Sequence, residues 1–322
     1  MRALVLSNML PGAAHPERGQ FVRDQVAALR ALGDLEVELY EFAPGPRALL
    51  AAAAELRRRH GRRAGARAGG ARPAIDIVHA HFGLTAWPAL AVSASARALT
   101  VHGTDVRHPR TRLATAAVLP SIDLLAAVSA SLIAELPTGA ARRRAQVLPC
   151  GVDTVRFRSL ERAGAREQLG LEPDGPYLLF AADPARASKR HDRALALARA
   201  VDAPLLTLGG VDPERVPLWV NAANAVLVPS DREGFGLAVL EALACEVPVL
   251  ATPVGVHPEA LAGVTGVLCA PFELEVWGRA LEPHVHASDP RVPGRASAER
   301  FSAARMAERV RAAWAEALRR SG

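Results

Sequence analysis

Short apolar runs recur along this chain, and stretches with helical spacing separate most of them. Over residues 1–150 the runs Arg2–Ser7, Glu36–Glu41, Ile75–Ala80, Ala98–Val101, Leu124–Val128 and Gln146–Leu148 read as strands, and Gly19–Leu32 as a helix. Residues 151–176 hold Gly151, Gly164, Gly170, Pro173, Gly175 and Pro176, which suits a domain junction. The alternation then restarts. Strands fall at Tyr177–Ala182, Leu205–Leu208, Ala225–Val228 and Val247–Ala251, and helices at His191–Val201 and Leu237–Ala244. Ser288–Ala298, with two prolines and a glycine, reads as a loop, and a last helix runs from about Phe301 to Leu318. Apolar strands alternating with helices predict parallel sheets covered on both faces. The expected architecture is α/β: two doubly wound parallel-sheet domains facing across a cleft. Their expected bounds are 1–158 and 159–299, with 300–322 a helix packing back toward the first domain.

Composition narrows this picture only a little. The chain has 322 residues, 50% hydrophobic and 22% charged, with a net charge of +6. That length suffices for two cores. No apolar run is long enough to span a membrane. The start, Met1–Asn8, resembles a first core strand without a cleavage site, so a cytoplasmic location is expected. Cys150, Cys245 and Cys269 are few and far apart, which indicates neither a disulfide framework nor a zinc site. His79 and His81 are expected to face opposite sides of their strand, against a two-histidine metal site.

The stretch around which the rest is organised is Ser230–Ala244. Ala225–Val228 reads as a buried strand, Pro229-Ser230 closes it, and a turn containing Gly234 and Gly236 leads into a helix that is apolar except at Glu241. A helix start at the carboxyl end of a parallel strand presents unpaired backbone N–H groups and suits an anion. A carboxylate on so apolar a helix wants a partner. A sugar nucleotide satisfies both, with phosphates for the amides and ribose hydroxyls for the carboxylate. On a continuous helix Glu233 and Glu241 would lie about 80° apart, and with Glu233 still in the turn both can point into one cleft. The competing reading makes Glu233 a charge favouring the helix dipole and Glu241 the partner of an arginine.

Other candidates lie at strand ends. Lys189, in Asp183–His191, follows a strand and precedes a helix, a place where a cation suits a pyrophosphate. Arg186 is the second cation there, and a solvated basic loop is the alternative. His102 and Asp105, around Gly103, offer a donor and an acceptor after a first-domain strand, although a histidine there is often structural. The basic run from Arg57 to Arg72 reads first as a solvated helix end with a loop, and second as a surface for anionic lipid headgroups. It lacks the aromatic groups a nucleic acid would stack on, so no nucleic-acid partner is expected. The first turn lacks Gly-x-Gly-x-x-Gly, and no Gly-x-x-x-x-Gly-Lys-Ser/Thr is present, which speaks against a dinucleotide or P-loop enzyme.

The stretch from Pro229 to Glu259 resembles the donor-site signature of glycosyltransferase family 4. Gly19–Arg23, Val78–Gly83, His102–Asp105, Leu148–Asp153 and Asn221–Asn224 fall in that family's order, so the likeness covers almost the whole chain. The resemblance implies the GT-B fold, two Rossmann-like domains facing across a cleft, and a retaining, metal-independent transfer from a nucleoside-diphosphate sugar. A UDP-sugar is expected first and a GDP-sugar second, with a glycan, lipid-linked or small-molecule acceptor. No cofactor is implied; the nucleotide sugar is a substrate. Glu241 would bind the ribose, and Glu233 the transferred sugar near Gly234, Phe235, Gly236 and Leu237. Lys189, with Arg186, would hold the diphosphate. His102 would contact the sugar from the first domain, and Gly19 and Asp105 would fall on the acceptor side. Retention by front-face displacement would let the leaving phosphate take the acceptor's proton, so no protein nucleophile is sought.

The chain also departs from the pattern. Ala181–Arg186 replaces the usual Gly-Arg-Leu and is similar to a teichuronic-acid or exopolysaccharide branch; Cys150 stands where asparagine is common; and few residues separate Leu208 from Ala225. A setting in cell-envelope polysaccharide assembly, peripheral to the inner face of the membrane, follows by analogy. A phosphorylase or epimerase of the same fold, a non-catalytic sugar-nucleotide-binding module and a structural partner protein are the rival readings.

Overall fold

The computed structural model describes residues 1–13, 15–61 and 73–321. They form two compact units: Met1–Pro11, Arg18–Gly151 and Ala303–Gly322 make the first, and Gly12–Glu17 with Val152–Ser302 the second.

The first unit carries six strands: β1 (Arg2–Ser7), β2 (Glu36–Glu41), β3 (Ile75–His81), β4 (Ala94–Val101), β5 (Leu124–Ala127) and β6 (Gln146–Val147). Their order is β2-β1-β3-β4-β5-β6, and every pairing is parallel. β1 and β3 are buried on both sides because helices cover both faces of the sheet. On one face Val22, Val26 and Leu29 of helix Gln20–Ala31 meet Val5, Ile77 and Ala98. Met306, Val310 and Trp314 of the last helix, Ala303–Ser321, complete that layer.

The second unit carries five: β7 (Leu178–Phe180), β8 (Leu205–Thr207), β9 (Ala225–Val228), β10 (Val249–Ala251) and β11 (Leu268–Cys269). Their order is β11-β10-β9-β7-β8, again all parallel. Phe180, Leu227 and Leu250 pack against Leu197 from helix His191–Ala200 and against Trp277 and Leu281 from helix Leu274–Val285. The doubly wound α/β expectation holds in both units. In each, the strand order reverses once, between β1 and β3 and between β7 and β9, and ligand crevices of such sheets lie outside the carboxyl ends at the reversal.

Two expectations are corrected. Residues 288–298 are not simply a loop, since Arg295–Glu299 is a helix. Ser297 is buried there and donates to the Ala260 carbonyl, while the Arg295 guanidinium reaches the Ala244 and Thr154 carbonyls. The prolines mark only its approach, Pro290 and Pro293 both preceding it. Second, His79 and His81 face the same side of β3, their ring centroids 4.7 Å apart and stacked. Side chains alternate along a strand with a period of two, so positions i and i+2 share a face.

The motif Asn221–Asn224 is a clamp. Asn221, fully buried, accepts from Leu160 N–H at 2.9 Å and donates to the Arg158 and Pro217 carbonyls. Asn224 accepts from Arg166 at 2.8 Å and donates to the His284 and Ala287 carbonyls. Among the described residues no helix is long and apolar enough to cross a membrane. Of the basic run, Arg57, Arg58 and Arg59 end helix Pro46–His60, where Arg58 and Arg59 both pair with Glu55; Arg62–Arg72 lie outside the described residues.

Candidate functional site

In the second unit the loops leaving β7 and β9 come together at the reversal point. The turn Ala187–Lys189 follows β7, and Ser230–Gly236 follows β9; Asp231 N–H donates to the Ser188 carbonyl at 2.9 Å and ties the two loops. Arg190 sits in the left-handed region (φ 58°) and pairs with Asp192 and Asp231, and Arg193 pairs with Asp231 at 2.9 Å. These ion pairs cross-brace the site from its solvent side.

Inside the brace, the Lys189 ammonium donates to both oxygens of Glu233 at 2.7 Å, and Ser230 Oγ donates to Oε1 at 2.7 Å. Only 13% of the Lys189 side chain and 7% of that of Glu233 are exposed. Burial pushes the Glu233 carboxyl up, but the Lys189 charge beside it and the hydrogen bonds from Lys189 and Ser230 outweigh burial and hold it below its ordinary 4.5. A buried ion pair persists only when its geometry is good and its remaining donors and acceptors are used. Lys189 has three N–H bonds. Glu233 takes two of them, and the third has no protein acceptor among the described residues.

Beside the pair begins helix Leu237–Ala244. Its cap residue is Gly236, at φ 110°, which has no side chain to cover the first amides. A Cβ on Gly236 would come within 2.5 Å of His257 Nε2, so glycine is required there for space as well as for conformation. His257 is fully buried and donates through Nδ1 to the Thr252 carbonyl at 2.8 Å; its Nε2 has no partner among the described residues. Leu237, Ala238 and Glu241 are half-buried and share one side of this helix, while Val239, Leu240, Ala242, Leu243 and Ala244 face the core. Glu241 therefore lies on the open side and not in the apolar interior. Gly234 is half-buried in the turn, and Phe235 is buried against Phe301, ring centroids 6.2 Å apart. Arg186 is exposed, at the start of the Lys189 turn.

The first unit holds the other candidates. Asp105 is 3% exposed and accepts from the N–H groups of Gly103 (2.8 Å), His102 (3.1 Å) and Gly83 (3.3 Å). Burial pushes its carboxyl up, against those backbone bonds. Asp105 thus fixes the His102-Gly103 loop, a positioning task within the protein. Gly19 caps helix Gln20–Ala31 at φ 73°, and a Cβ there would meet the Met9 carbonyl oxygen at 2.5 Å. Its need for glycine is explained by that turn.

His102 itself is half-buried. Its ring lies 4.8 Å from Phe21, 4.7 Å from Phe82 and 5.1 Å from His81. Phe82 holds φ 74°, a conformation that costs a bulky residue about 1–3 kcal/mol and tends to gather at functional sites. Burial pushes His102 down to about 3, so its ring is neutral at pH 7.

Sequence reasoning missed Ser230, His257 and the Asp231 brace, as well as the stacked His79 and His81. Strand parity was the signal for the two histidines. For Ser230 and His257 the only signal was proximity in sequence to Glu233 and to the Gly255-Val256 turn.

Two family models match this chain: "Glycosyltransferase Family 4" over residues 11–156 and "Glycosyl transferases group 1" over 173–291. The chain belongs to glycosyltransferase family 4. Its relatives include proteins named D-inositol 3-phosphate glycosyltransferase. That of Nocardia farcinica is 33% identical over 180 residues, 44% of this chain and 40% of the relative. That of Actinosynnema mirum is 32% identical over 263 residues, 64% of this chain and 63% of the relative. The chain thus spans less than two thirds of the length of these curated relatives. HepE of Anabaena, solved in complex with UDP and glucose, superposes with a TM-score of 0.67 at 15% identity, covering 97% of this chain and 98% of HepE. The GT-B fold class expected from the family is the fold of this chain.

Proposed function

We propose that this family 4 chain is a retaining glycosyltransferase that moves a sugar from a nucleoside diphosphate to an acceptor hydroxyl, with a UDP-sugar as first donor and a GDP-sugar as second. The observation that carries the reading is the buried, two-pronged Lys189–Glu233 pair next to an uncapped helix start. A lysine neutralised by Glu233 can be kept dry, and its third N–H remains for a phosphate oxygen. The backbone amides at Gly236 and Leu237 add the partial positive charge of the helix start. Arg186, exposed on the same turn, is a second cation for the diphosphate.

Glu233 takes the sugar hydroxyls, and Glu241, on the open side of its helix, the ribose. His102, a neutral ring in the first unit, contributes a hydrogen bond to the sugar. The bond from the anomeric carbon to the phosphate oxygen breaks, the acceptor oxygen bonds to the same face, and the acceptor's proton passes to the departing phosphate. Positive charge placed where the leaving diphosphate gains negative charge is the main source of rate acceleration in such a site, and it takes the place of a divalent ion. The structure of HepE with UDP and glucose supports the donor class, and the relatives named for D-inositol 3-phosphate support a small phosphorylated polyol acceptor ahead of a glycan. A lipid-linked acceptor is the second reading, supported by the exposed arginines that end helix Pro46–His60.

The test is release of nucleoside diphosphate from a panel of UDP- and GDP-sugars with inositol phosphate, glycan and lipid-phosphate acceptors. The anomeric configuration of the product is read by NMR. Acceptor-dependent release with retention is expected. Lys189→Ala should lower kcat/KM by roughly a hundredfold or more, the scale of removing one charge-stabilising donor. Consumption of donor without a glycoside product, or no consumption of any donor, overturns the proposal.

A further inference from the structure

The first unit contains a row of rings, joined by hydrogen bonds at both ends and by stacking between His79 and His81, that ends on His102. Trp314 Nε1–H, from the last helix, donates to His79 Nδ1 at 3.1 Å, so that nitrogen carries a lone pair. The proton of the neutral His79 ring must then sit on Nε2, which lies 2.8 Å from Thr100 Oγ1 on β4. Both nitrogens of His79 are committed, and the ring is wholly buried. His81, stacked on it and equally buried, has one polar contact: its Nδ1 lies 2.9 Å from His102 Nε2. His81 Nε2 has no partner among the described residues.

Two arrangements of the His81–His102 bond are chemically possible, and they differ in what is left over. If His102 donated, His81 would bury an N–H without an acceptor. If His81 donates from Nδ1, the leftover on His81 is a lone pair. Orphaned buried N–H groups are rarer than under-used acceptors, so the second arrangement prevails. His102 Nε2 is then an acceptor, and its proton sits on Nδ1, for which the described residues provide no partner.

We propose that His81 is a positioning residue that locks His102 as a neutral ring offering an Nδ1–H donor to a ligand oxygen, with Trp314, His79 and Thr100 holding His81 to that role. His102 then binds a hydroxyl by donating to it and takes no proton from the acceptor. The inference rests on the reading of His102 as the group that faces the sugar, but its first test does not require turnover. Among the described residues no acidic side chain bonds to either ring; Asp105, the nearby carboxylate, is spent on the backbone amides of His102, Gly103 and Gly83. Nothing in the row therefore draws a proton onto His102.

Imidazole nitrogen NMR on the intact, uniformly 15N-labelled protein at pH 7, with His102→Gln for assignment, distinguishes the tautomers. The expected spectrum shows His102 as the neutral Nδ1–H form and His79 as the Nε2–H form. A protonated His102, or one carrying its proton on Nε2, overturns the proposal whether or not the protein transfers sugar. Activity supplies the second arm. His81→Phe should raise the donor KM or lower kcat by on the order of tenfold, with mixed His102 tautomers in the spectrum. His81→Asn, whose amide can donate from nearly the same place as Nδ1, should restore most of the loss. Equal loss in both variants, with the His102 spectrum unchanged, contradicts the positioning role. If the tautomer is as expected and no donor is consumed, the transferase reading fails and the tautomer lock stands.

Discussion

At the scale of single residues, the structure separates charges engaged within the chain from one with a donor to spare. Asp231 is paired with two arginines and Asp105 with backbone amides, whereas Lys189 keeps a third N–H without an acceptor among the described residues. The titration of Glu233 follows from its surroundings. Its carboxyl is held below 4.5 in the folded protein, so its contribution to stability is complete above that unfolded value and is lost as pH falls through the lower folded one. Glu233→Gln should therefore flatten the acid limb of stability below about pH 4.5. Guanidinium unfolding at stepped pH, monitored in the second unit by hydrogen exchange, checks this. The histidines act at higher pH. His79 and His102 are pushed by burial from 6.5 to about 3, so the unfolded chain binds more protons between these values. Stability of the first unit is then full above 6.5 and falls as pH drops, by up to about 1.4 kcal/mol per pH unit for each such histidine. Hydrogen-exchange protection of β3 and β4 amides between pH 7 and pH 5 should decline accordingly, and less steeply in His79→Gln.

At the scale of elements, the turn between β9 and helix Leu237–Ala244 depends on Gly236. Gly236→Ala meets both a left-handed φ and the buried His257 ring, and should lower stability by about 1–3 kcal/mol, read from the thermal midpoint. The last helix matters through Trp314, whose indole is fully buried and whose N–H is spent on His79. Trp314→Phe should keep most of the packing and cost about 1–2 kcal/mol for the orphaned His79 nitrogen, while Trp314→Ala should cost about 3–5 kcal/mol. Much of this layer was legible in the sequence. Runs such as Leu124–Val128 and Ala225–Val228 are apolar on both faces, which only a covered parallel strand explains. The two-residue strands β6 and β11 are too short to carry a period, and helix Arg295–Glu299 is held by Ser297 and Arg295 reaching distant carbonyls that no local pattern announces. Glu233 and Lys189 stood out as charges at strand ends, but their bond joins residues 44 apart and is invisible in either loop alone.

At the scale of the whole molecule, two parallel sheets of one chain each place a polar cluster at the carboxyl ends of their strands. In the second unit the cluster is Lys189, Glu233 and the Gly236 helix start; in the first it is the His79, His81 and His102 row. The cluster in the second unit is proposed to hold a nucleoside diphosphate. The most direct measurement is calorimetric titration of UDP and GDP, without sugar or acceptor, into the wild-type chain and into Lys189→Ala and Arg190→Ala. Arg190 braces the loops but is pointed at Asp192 and Asp231. UDP is expected to bind the wild type, Lys189→Ala to weaken that binding at least tenfold, a loss of about 1.4 kcal/mol or more, and Arg190→Ala to weaken it far less. Binding of neither nucleotide to the wild type, or equal affinity in the wild type and Lys189→Ala, contradicts the proposal.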